Sequence, residues 1–146
     1  MGIIQIMRQG AVVIMMRNDG AVLMQLRDNI PNIPYPDHWA LPSGAVEGEE
    51  TPWQAAQREL LEETRYVAER GLELFTAPQK INGKEVQRHV FLVNYDGNQE
   101  IECLEGRAME FKKPEELSEL KVFGDHIEFI SRAKEMIEKG GIENKS

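Results

Sequence analysis

Three glutamates on one face of a predicted helix constrain this chain more than any other feature. Glu59, Glu62 and Glu63 have the i, i+3, i+4 spacing, which places their carboxylates side by side on a helix. Like charges at that spacing repel by roughly 0.2–0.5 kcal/mol per pair. Because Mg²⁺ and Mn²⁺ prefer oxygen ligands, a bound cation would offset this repulsion. The cluster therefore favours a divalent-metal site, although a solvated acidic face is the more common origin of three glutamates taken alone.

The start of this helix is marked more clearly than its end. Residues 51–54 (TPWQ) form a capping-box pattern, with a threonine N-cap and a proline in the first turn. The helix either ends at Arg65 in the left-handed conformation, at a cost on the order of 1 kcal/mol, or continues to about Arg70 with Gly71 as its cap. We expect the longer helix. The stripe that would pack on the core consists of Trp53, Ala56, Leu60 and Thr64.

The glutamates belong to a longer pattern that resembles the Nudix box of the MutT-like hydrolases. The pattern runs from Gly44 to Tyr66 and has Glu50 and the RELLEE segment of residues 58–63 at the spacing of the box. Charged and glycine positions that match at fixed distances make the resemblance specific. Two positions depart from it, since Arg65 replaces the usual glycine near the end and Ser43 replaces a glycine that commonly precedes Gly44.

The resemblance implies a role for each of the matching residues. It implies that Arg58 pairs with Glu50 and holds a ligand in orientation, and that Glu105, in a later loop, reaches the metals or acts as general base. The general base stays open between Glu59, Glu62 and Glu105. The implied ligands of Mg²⁺ or Mn²⁺ are the Gly44 carbonyl and the carboxylates of Glu59, Glu62 and Glu63.

The remainder of the chain predicts an α+β fold. Strands of mixed direction around a capped helix, with a second helix at the end, favour an α/β/α sandwich, with the acidic helix on one side of the sheet and the C-terminal helix on the other. This agrees with the Nudix fold. We expect one domain over residues 1–140 and a frayed tail over 141–146. The predicted elements are a hairpin of strands 11–16 and 21–26, strands 72–77, 86–95 and 100–104, and a helix over 125–139.

Candidates for substrate contact lie in a proline-rich loop and near the last helix. Residues 29–42 contain four prolines and are therefore expected to form an ordered loop or an edge. Its aromatic residues could stack on a base or sugar, although we favour Trp39 as an anchor to the core and leave both roles open for Tyr35. The other candidates are Arg27, Asp125 and His126.

Composition excludes several classes of partner. A net charge of −8 argues against polymeric nucleic acid, whose binding needs clustered lysine and arginine. The sequence has no run long enough to span a membrane and no signal-peptide pattern, so we expect a cytoplasmic protein. The single cysteine, Cys103, is expected to be a small residue of the core.

The resemblance implies hydrolysis of a pyrophosphate bond in a nucleoside diphosphate that is linked to another group. The compact chain and its short loops favour a nucleoside triphosphate, ordinary or oxidised, cleaved to the monophosphate and pyrophosphate. The alternatives are a nucleotide sugar such as ADP-ribose, a dinucleoside polyphosphate, or a non-catalytic module that only binds nucleotides. Homodimers are frequent in the family, so a homodimer is an open alternative.

Overall fold

Strand β1 (Arg8–Met16) lies at the centre of the fold, because other elements cover both of its faces. The computed structural model describes residues 8–140 of the chain. Alternate side chains of β1 enter different cores, as Ile14 packs on one side of the sheet and Met15 on the other. This explains why the strand is a continuous apolar run rather than an alternating one.

Seven strands form one mixed sheet in the described part of the chain. The central order is β3-β2-β1-β6-β5, with β4 also paired to β1 and β7 to β2. β1 and β6 are parallel, whereas the other pairs are antiparallel. The strands after β1 are β2 (Val22–Leu26), β3 (Trp39–Ala40), β4 (Ser43–Ala45), β5 (Leu72–Ile81), β6 (Lys84–Asn94) and β7 (Ala108–Lys112). The helices are α1 (Pro52–Thr64), α2 (Pro114–Leu117) and α3 (His126–Glu138).

The two long helices lie on opposite faces of the sheet, which confirms the predicted α/β/α sandwich. Helix α1 buries Ala55, Ala56 and Leu60 in one core. Helix α3 buries Phe129 and Ile130 in the other. None of the helices within residues 8–140 is long and apolar enough to cross a membrane. The tail predicted for 141–146 lies outside the described residues.

The predicted hairpin is present, and the predicted strands 72–77 and 86–95 form a second one. β1 and β2 pair in antiparallel fashion from Met16 and Val22 around a turn that contains Gly20. β5 and β6 pair around Asn82 and Gly83, which both have positive φ. β5 continues through Pro78, beyond its predicted end, because it lies at the edge of the sheet, where a proline can avoid interrupting a ladder of hydrogen bonds.

The predicted extension of α1 to about Arg70 is wrong. The helix ends at Thr64, and Arg65 takes the left-handed conformation with φ of 66°. This conformation turns the next residue, Tyr66, into the core, where it is 2% exposed. Burying a large side chain contributes about 1.5–3 kcal/mol, which exceeds the cost of about 1 kcal/mol for a left-handed residue that is not glycine.

Gly71 accordingly does not cap a helix. A Cβ atom at Gly71 would lie 2.2 Å from the ring of Trp53, so a side chain at this position would displace the indole. Trp53 in turn packs on Phe91 of β6, with 5.4 Å between the ring centroids. The glycine therefore serves the packing of α1 on the sheet.

The strand predicted over residues 100–104 is also wrong. This segment runs beside the end of α1, where the Glu102 and Leu104 amides donate to the carbonyls of the last two helical residues at 3.0 and 2.9 Å. Carbonyls at a helix C-terminus need such partners, and these amides are consequently not used in the sheet. Cys103 is exposed in this segment rather than buried as predicted. β7, in a region expected to be a loop, pairs with β2 instead.

Candidate functional site

Arg58 organises the acidic side of α1. Its guanidinium donates to Glu50 at 2.7 Å through Nε, to Glu59 at 2.8 Å through Nη1 and to the Ala45 carbonyl at 2.9 Å through Nη2. The hydrogen bond to Glu50, followed by that to Glu59, raises the pKa of Arg58 above its ordinary value. The same bond lowers the pKa of Glu50. The guanidinium of Arg58 thus joins α1 to the loop before it and to β4.

Gly44 lies directly against the side chain of Glu59. A Cβ atom at Gly44 would be 2.2 Å from both Cδ and Oε1 of Glu59, which no packing allows. β4 is held in this position by pairing with β1, where Gly44 stands opposite Ala11. A glycine is therefore required for the backbone of β4 and the carboxylate of α1 to be adjacent.

Glu63 is buried on the same helix and lacks a full set of partners. It is 2% exposed, and its Oε2 atom has no hydrogen-bond partner among residues 8–140. Burial, followed by the charges of Glu59 and Glu105, raises the pKa of Glu63 well above its ordinary value. A buried carboxylate is costly unless its charge is offset. The position therefore suits a bound cation.

Glu105 lies within electrostatic reach of the same glutamates. Burial, followed by the charges of Glu59 and Glu62, raises the pKa of Glu105. Glu105 comes from the segment that runs beside the end of α1, so the fold brings it to the helix from a distant part of the chain.

The chemistry of the donor set fits a hard divalent cation. Within residues 8–140, no three His, Cys, Asp or Glu side chains converge as a preformed metal centre. Arg58 contacts both Glu59 and Glu62, the latter at 3.4 Å, and so holds them while it offsets their charge. The buried Oε2 of Glu63, beside these oxygens and the backbone of Gly44, supplies the hard oxygen donors that Mg²⁺ and Mn²⁺ prefer.

A pocket of about 300 Å³ begins at Gly44 and extends between the β5–β6 hairpin and the start of α3. We call it the hairpin pocket. Its walls are largely apolar, with Val12 from β1 and Val86 from β6, and the ring of Phe123 lies at its α3 end. Such a pocket suits a flat apolar group, such as a nucleobase.

A second pocket, of about 570 Å³, lies beside Glu105. We call it the Gln25 pocket. Its polar walls come from Gln25, Arg27, Asp28 and Glu105, and its only apolar side chains of any size among the described residues are Ile33 and Leu104. The two pockets therefore differ in chemistry.

Two of the predicted substrate residues line these pockets. Arg27 lines the Gln25 pocket, and its guanidinium carbon lies 5.2 Å from the centre of the Phe123 ring. His126 lines the hairpin pocket, where its Nδ1 accepts a hydrogen bond from the Leu41 amide at 3.0 Å. Burial lowers the pKa of His126 to about 4. A neutral ring whose Nδ1 accepts must carry its proton on Nε2.

The other three substrate candidates lie outside the two pockets. Tyr35 is exposed, with its ring 4.5 Å from that of Phe123. Trp39 packs against the α3-side core and carries the Lys112 ammonium 4.3 Å above its ring, in keeping with the anchoring role that the sequence favoured. Asp125 directly precedes α3, but its carboxylate does not cap the helix.

The carboxylate of Asp125 instead pairs with Arg88, which was not among the residues predicted from the sequence. Its guanidinium donates to both oxygens of Asp125, at 2.8 and 2.6 Å, and lowers the pKa of Asp125. Arg88 is 5% exposed and forms part of the wall of the hairpin pocket. A charged residue inside the apolar strand of residues 86–95 was the available signal, because a buried arginine requires a partner.

Comparisons with known proteins agree with this architecture. The sequence profile of the NUDIX domain matches residues 7–133. No curated protein sequence matches the chain. The NUDIX domain of Shewanella oneidensis NrtR, solved with ADP ribose, superimposes with a TM-score of 0.77 at 17% identity, over 92% of this chain and 90% of that one.

Two further structures have the same fold. A C. elegans Ap4A hydrolase has a TM-score of 0.73 at 19% identity, over 90% of this chain and 98% of that one. The MutT protein from Methanosarcina mazei Go1 has a TM-score of 0.74 at 15% identity, over 97% of this chain and 100% of that one. The structural matches establish the α+β Nudix fold, and since the domain profile covers most of the sequence, the chain belongs to the NUDIX domain family.

Proposed function

We propose that this protein is a divalent-metal-dependent hydrolase that cleaves the pyrophosphate bond of a nucleoside diphosphate linked to another group. The observation that carries the proposal is the unpartnered Oε2 atom of Glu63, buried beside Glu59 where Gly44 leaves room for its carboxylate. Burying carboxylates together lowers stability, and a bound cation would offset that cost. Membership of a family with nucleotide-related relatives supports the choice of substrate.

Four groups would hold the ion, namely the Gly44 carbonyl and the carboxylates of Glu59, Glu62 and Glu63. When bound, Mg²⁺ or Mn²⁺ supplies neutralisation of the phosphate charge and acidification of a water molecule. The role of Arg58 is to hold Glu59 and Glu62 in orientation through its bonds to them and to Glu50.

We assign the proton transfer to Glu105. Glu59 and Glu62 are contacted by Arg58, whereas the pKa of Glu105 is raised, which makes its carboxylate a stronger base than an ordinary glutamate. Water attacks one phosphorus of the pyrophosphate, and Glu105 takes the proton that the water loses. A new P–O bond forms as the bridging P–O bond breaks, and the departing phosphate keeps the electron pair.

Within this class, the short loops of the sequence favour a nucleoside triphosphate, whereas similar structures include an Ap4A hydrolase and a domain solved with ADP ribose. The rival function is nucleotide binding without turnover. Ser43 and Arg65 are the departures that favour it, and the complete set of glutamates argues against it.

The test is hydrolysis of nucleoside triphosphates, nucleotide sugars and dinucleoside polyphosphates with Mg²⁺, with products separated by chromatography. We expect Glu59→Gln to lower turnover by a factor on the order of 10² or more, as the loss of a ligand or an acid–base group does. Glu138→Gln, an exposed glutamate at the end of α3, is the matched control and should leave turnover unchanged. Wild-type turnover in Glu59→Gln would refute the proposal.

A further inference from the structure

The Gln25 pocket contains a buried amide that the protein itself does not use. Gln25 is only 8% exposed, yet its side chain makes no hydrogen bond with residues 8–140. Its amide atoms are not among the fully buried unpaired atoms of the described chain, so they open into the pocket that Gln25 lines. Buried amides without partners are rare in folded proteins. This amide is therefore placed to bind a ligand.

The hairpin pocket and the Gln25 pocket each reach the acidic cluster through a different residue. The hairpin pocket touches Gly44, and the Glu59 carboxylate packs against that glycine. The Gln25 pocket touches Glu105, which lies within electrostatic reach of Glu59. A diphosphate held at the cluster would thus have both pockets close to the groups attached to it.

Arg27 supplies positive charge between the two pockets. It lines the Gln25 pocket, while its guanidinium lies over Phe123 of the hairpin pocket. Its Nε donates to the Pro34 carbonyl at 2.9 Å, which orients the guanidinium. Neither terminal nitrogen is paired with a carboxylate of residues 8–140, so both are available to phosphate oxygens.

The chemistry of the Gln25 pocket distinguishes between the groups that could fill it. Asp28 and Glu105 line it, and their charges disfavour the terminal phosphate of a triphosphate. None of the described residues that line this pocket is aromatic, whereas bases bind by stacking on aromatic rings. Hydroxyl groups both donate and accept hydrogen bonds, so they match the Gln25 amide and the two carboxylates together.

We infer that the substrate is a nucleoside diphosphate joined to a sugar, with the base in the hairpin pocket and the sugar hydroxyls bound by Gln25. The inference rests on the proposed function and narrows its substrate class. Hydrolysis then gives a nucleoside monophosphate and a sugar phosphate. Gln25 is the residue that distinguishes a sugar from a terminal phosphate.

The test compares ADP-, GDP- and UDP-linked sugars with the triphosphate of the same base, as kcat/KM in the presence of Mg²⁺. For the preferred base, we expect the wild type to favour the sugar nucleotide by about tenfold or more. Gln25→Met, which keeps the volume and removes the amide, should lower kcat/KM for the sugar nucleotide by about tenfold, as a lost buried hydrogen bond does. The same variant should leave kcat/KM for the triphosphate unchanged. If Gln25→Met does not fold, Asp28→Ala, at an exposed position, is the second variant. It should lower kcat/KM for the sugar nucleotide and raise it for the triphosphate, because it removes a hydroxyl acceptor and a charge that disfavours the terminal phosphate.

The matched control is Gln87→Met, which makes the same substitution in β6 at a residue that lines neither pocket. This control should leave kcat/KM unchanged for both substrates. A wild type that prefers the triphosphate or a dinucleoside polyphosphate, or a Gln25→Met that affects both substrates alike, would overturn the inference and leave the proposed function intact. Absence of metal-dependent cleavage of every substrate would instead refute the proposed function, and the inference with it.

Discussion

At the scale of single residues, the site contains a carboxyl group whose charged form is unfavourable where it is buried. Glu63 is buried against Glu59 and Glu105, and its pKa is raised as a result. The native state therefore keeps a proton that the unfolded chain releases once the pH exceeds the ordinary glutamate value of about 4.5. Stability contributed by this group is present below that pH and is lost as the pH rises toward the folded pKa. A cation bound at the site would offset this cost of burying the Glu63 carboxylate.

The direction of this dependence of stability on pH can be measured after EDTA has removed the metal. Between about pH 7.5 and pH 8.5, where ordinary Asp and Glu residues do not titrate and ordinary His residues are already largely neutral, the melting temperature of the wild type should fall. The slope from one group is at most about 1.4 kcal/mol per pH unit. Glu63→Gln should melt higher at pH 8 and show a flatter dependence, because the amide carries no proton to lose. Equal slopes in the wild type, Glu63→Gln and the Glu138→Gln control would contradict the assignment.

At the scale of elements, the end of α1 shows tertiary packing overriding local preference. Arg65 takes a left-handed conformation that suits glycine, because Tyr66 must enter the core. Thr64 supports the turn, since its hydroxyl donates to the Leu60 carbonyl at 2.6 Å and accepts from the Tyr66 amide at 3.0 Å. The ion pair of Arg65 with Glu102 is exposed and contributes little.

Replacing this residue should therefore change stability in a predictable direction. We expect Arg65→Gly to raise the free energy of unfolding by up to about 1 kcal/mol, or roughly 2–4 °C in melting temperature. Arg65→Val should lower it, because a β-branched residue is strained at positive φ. Thermal unfolding of the three proteins measures both effects, and a less stable Arg65→Gly would show that the arginine side chain matters more than its backbone.

The start of α1 could be predicted from the sequence, but the elements around its end could not. The capping box depends on neighbouring residues. The two predicted hydrogen bonds between Thr51 and Gln54, each from a backbone amide to the other side chain, are confirmed at 2.9 and 3.1 Å. The segment of residues 100–104 has the composition of a strand, yet its amides bind to the end of α1. Its location depends on a contact between segments distant in sequence, which local patterns do not report.

The same distinction holds for the site. The relative positions of Glu59, Glu62 and Glu63 follow from helix geometry, and the sequence contains them directly. The burial of Glu63 and the open amide of Gln25 depend on how the segment of residues 100–106 folds back. The partner of Arg88 likewise could not be read from β6 alone, because Asp125 lies 37 residues further along the chain.

At the scale of the whole molecule, the sandwich brings two pockets close to the acidic cluster of α1. β1 and β4 line the hairpin pocket, whose Gly44 contacts Glu59 of α1, and β2 lines the Gln25 pocket beside the segment that follows β6. The chain has a net charge of −8, which by itself repels phosphates. A nucleotide can approach the acidic cluster only if cations offset that charge, so nucleotide binding depends on metal binding at α1.

Titration of the protein with Mn²⁺, followed by the electron paramagnetic resonance signal of the free ion, tests this claim most directly. We predict that the wild type and Glu138→Gln bind Mn²⁺, and that Glu59→Gln and Glu63→Gln lose at least tenfold in affinity, in the range found when a metal site is perturbed. All four proteins should unfold cooperatively. Equal Mn²⁺ binding by all four would place the metal elsewhere and contradict the assignment of the site.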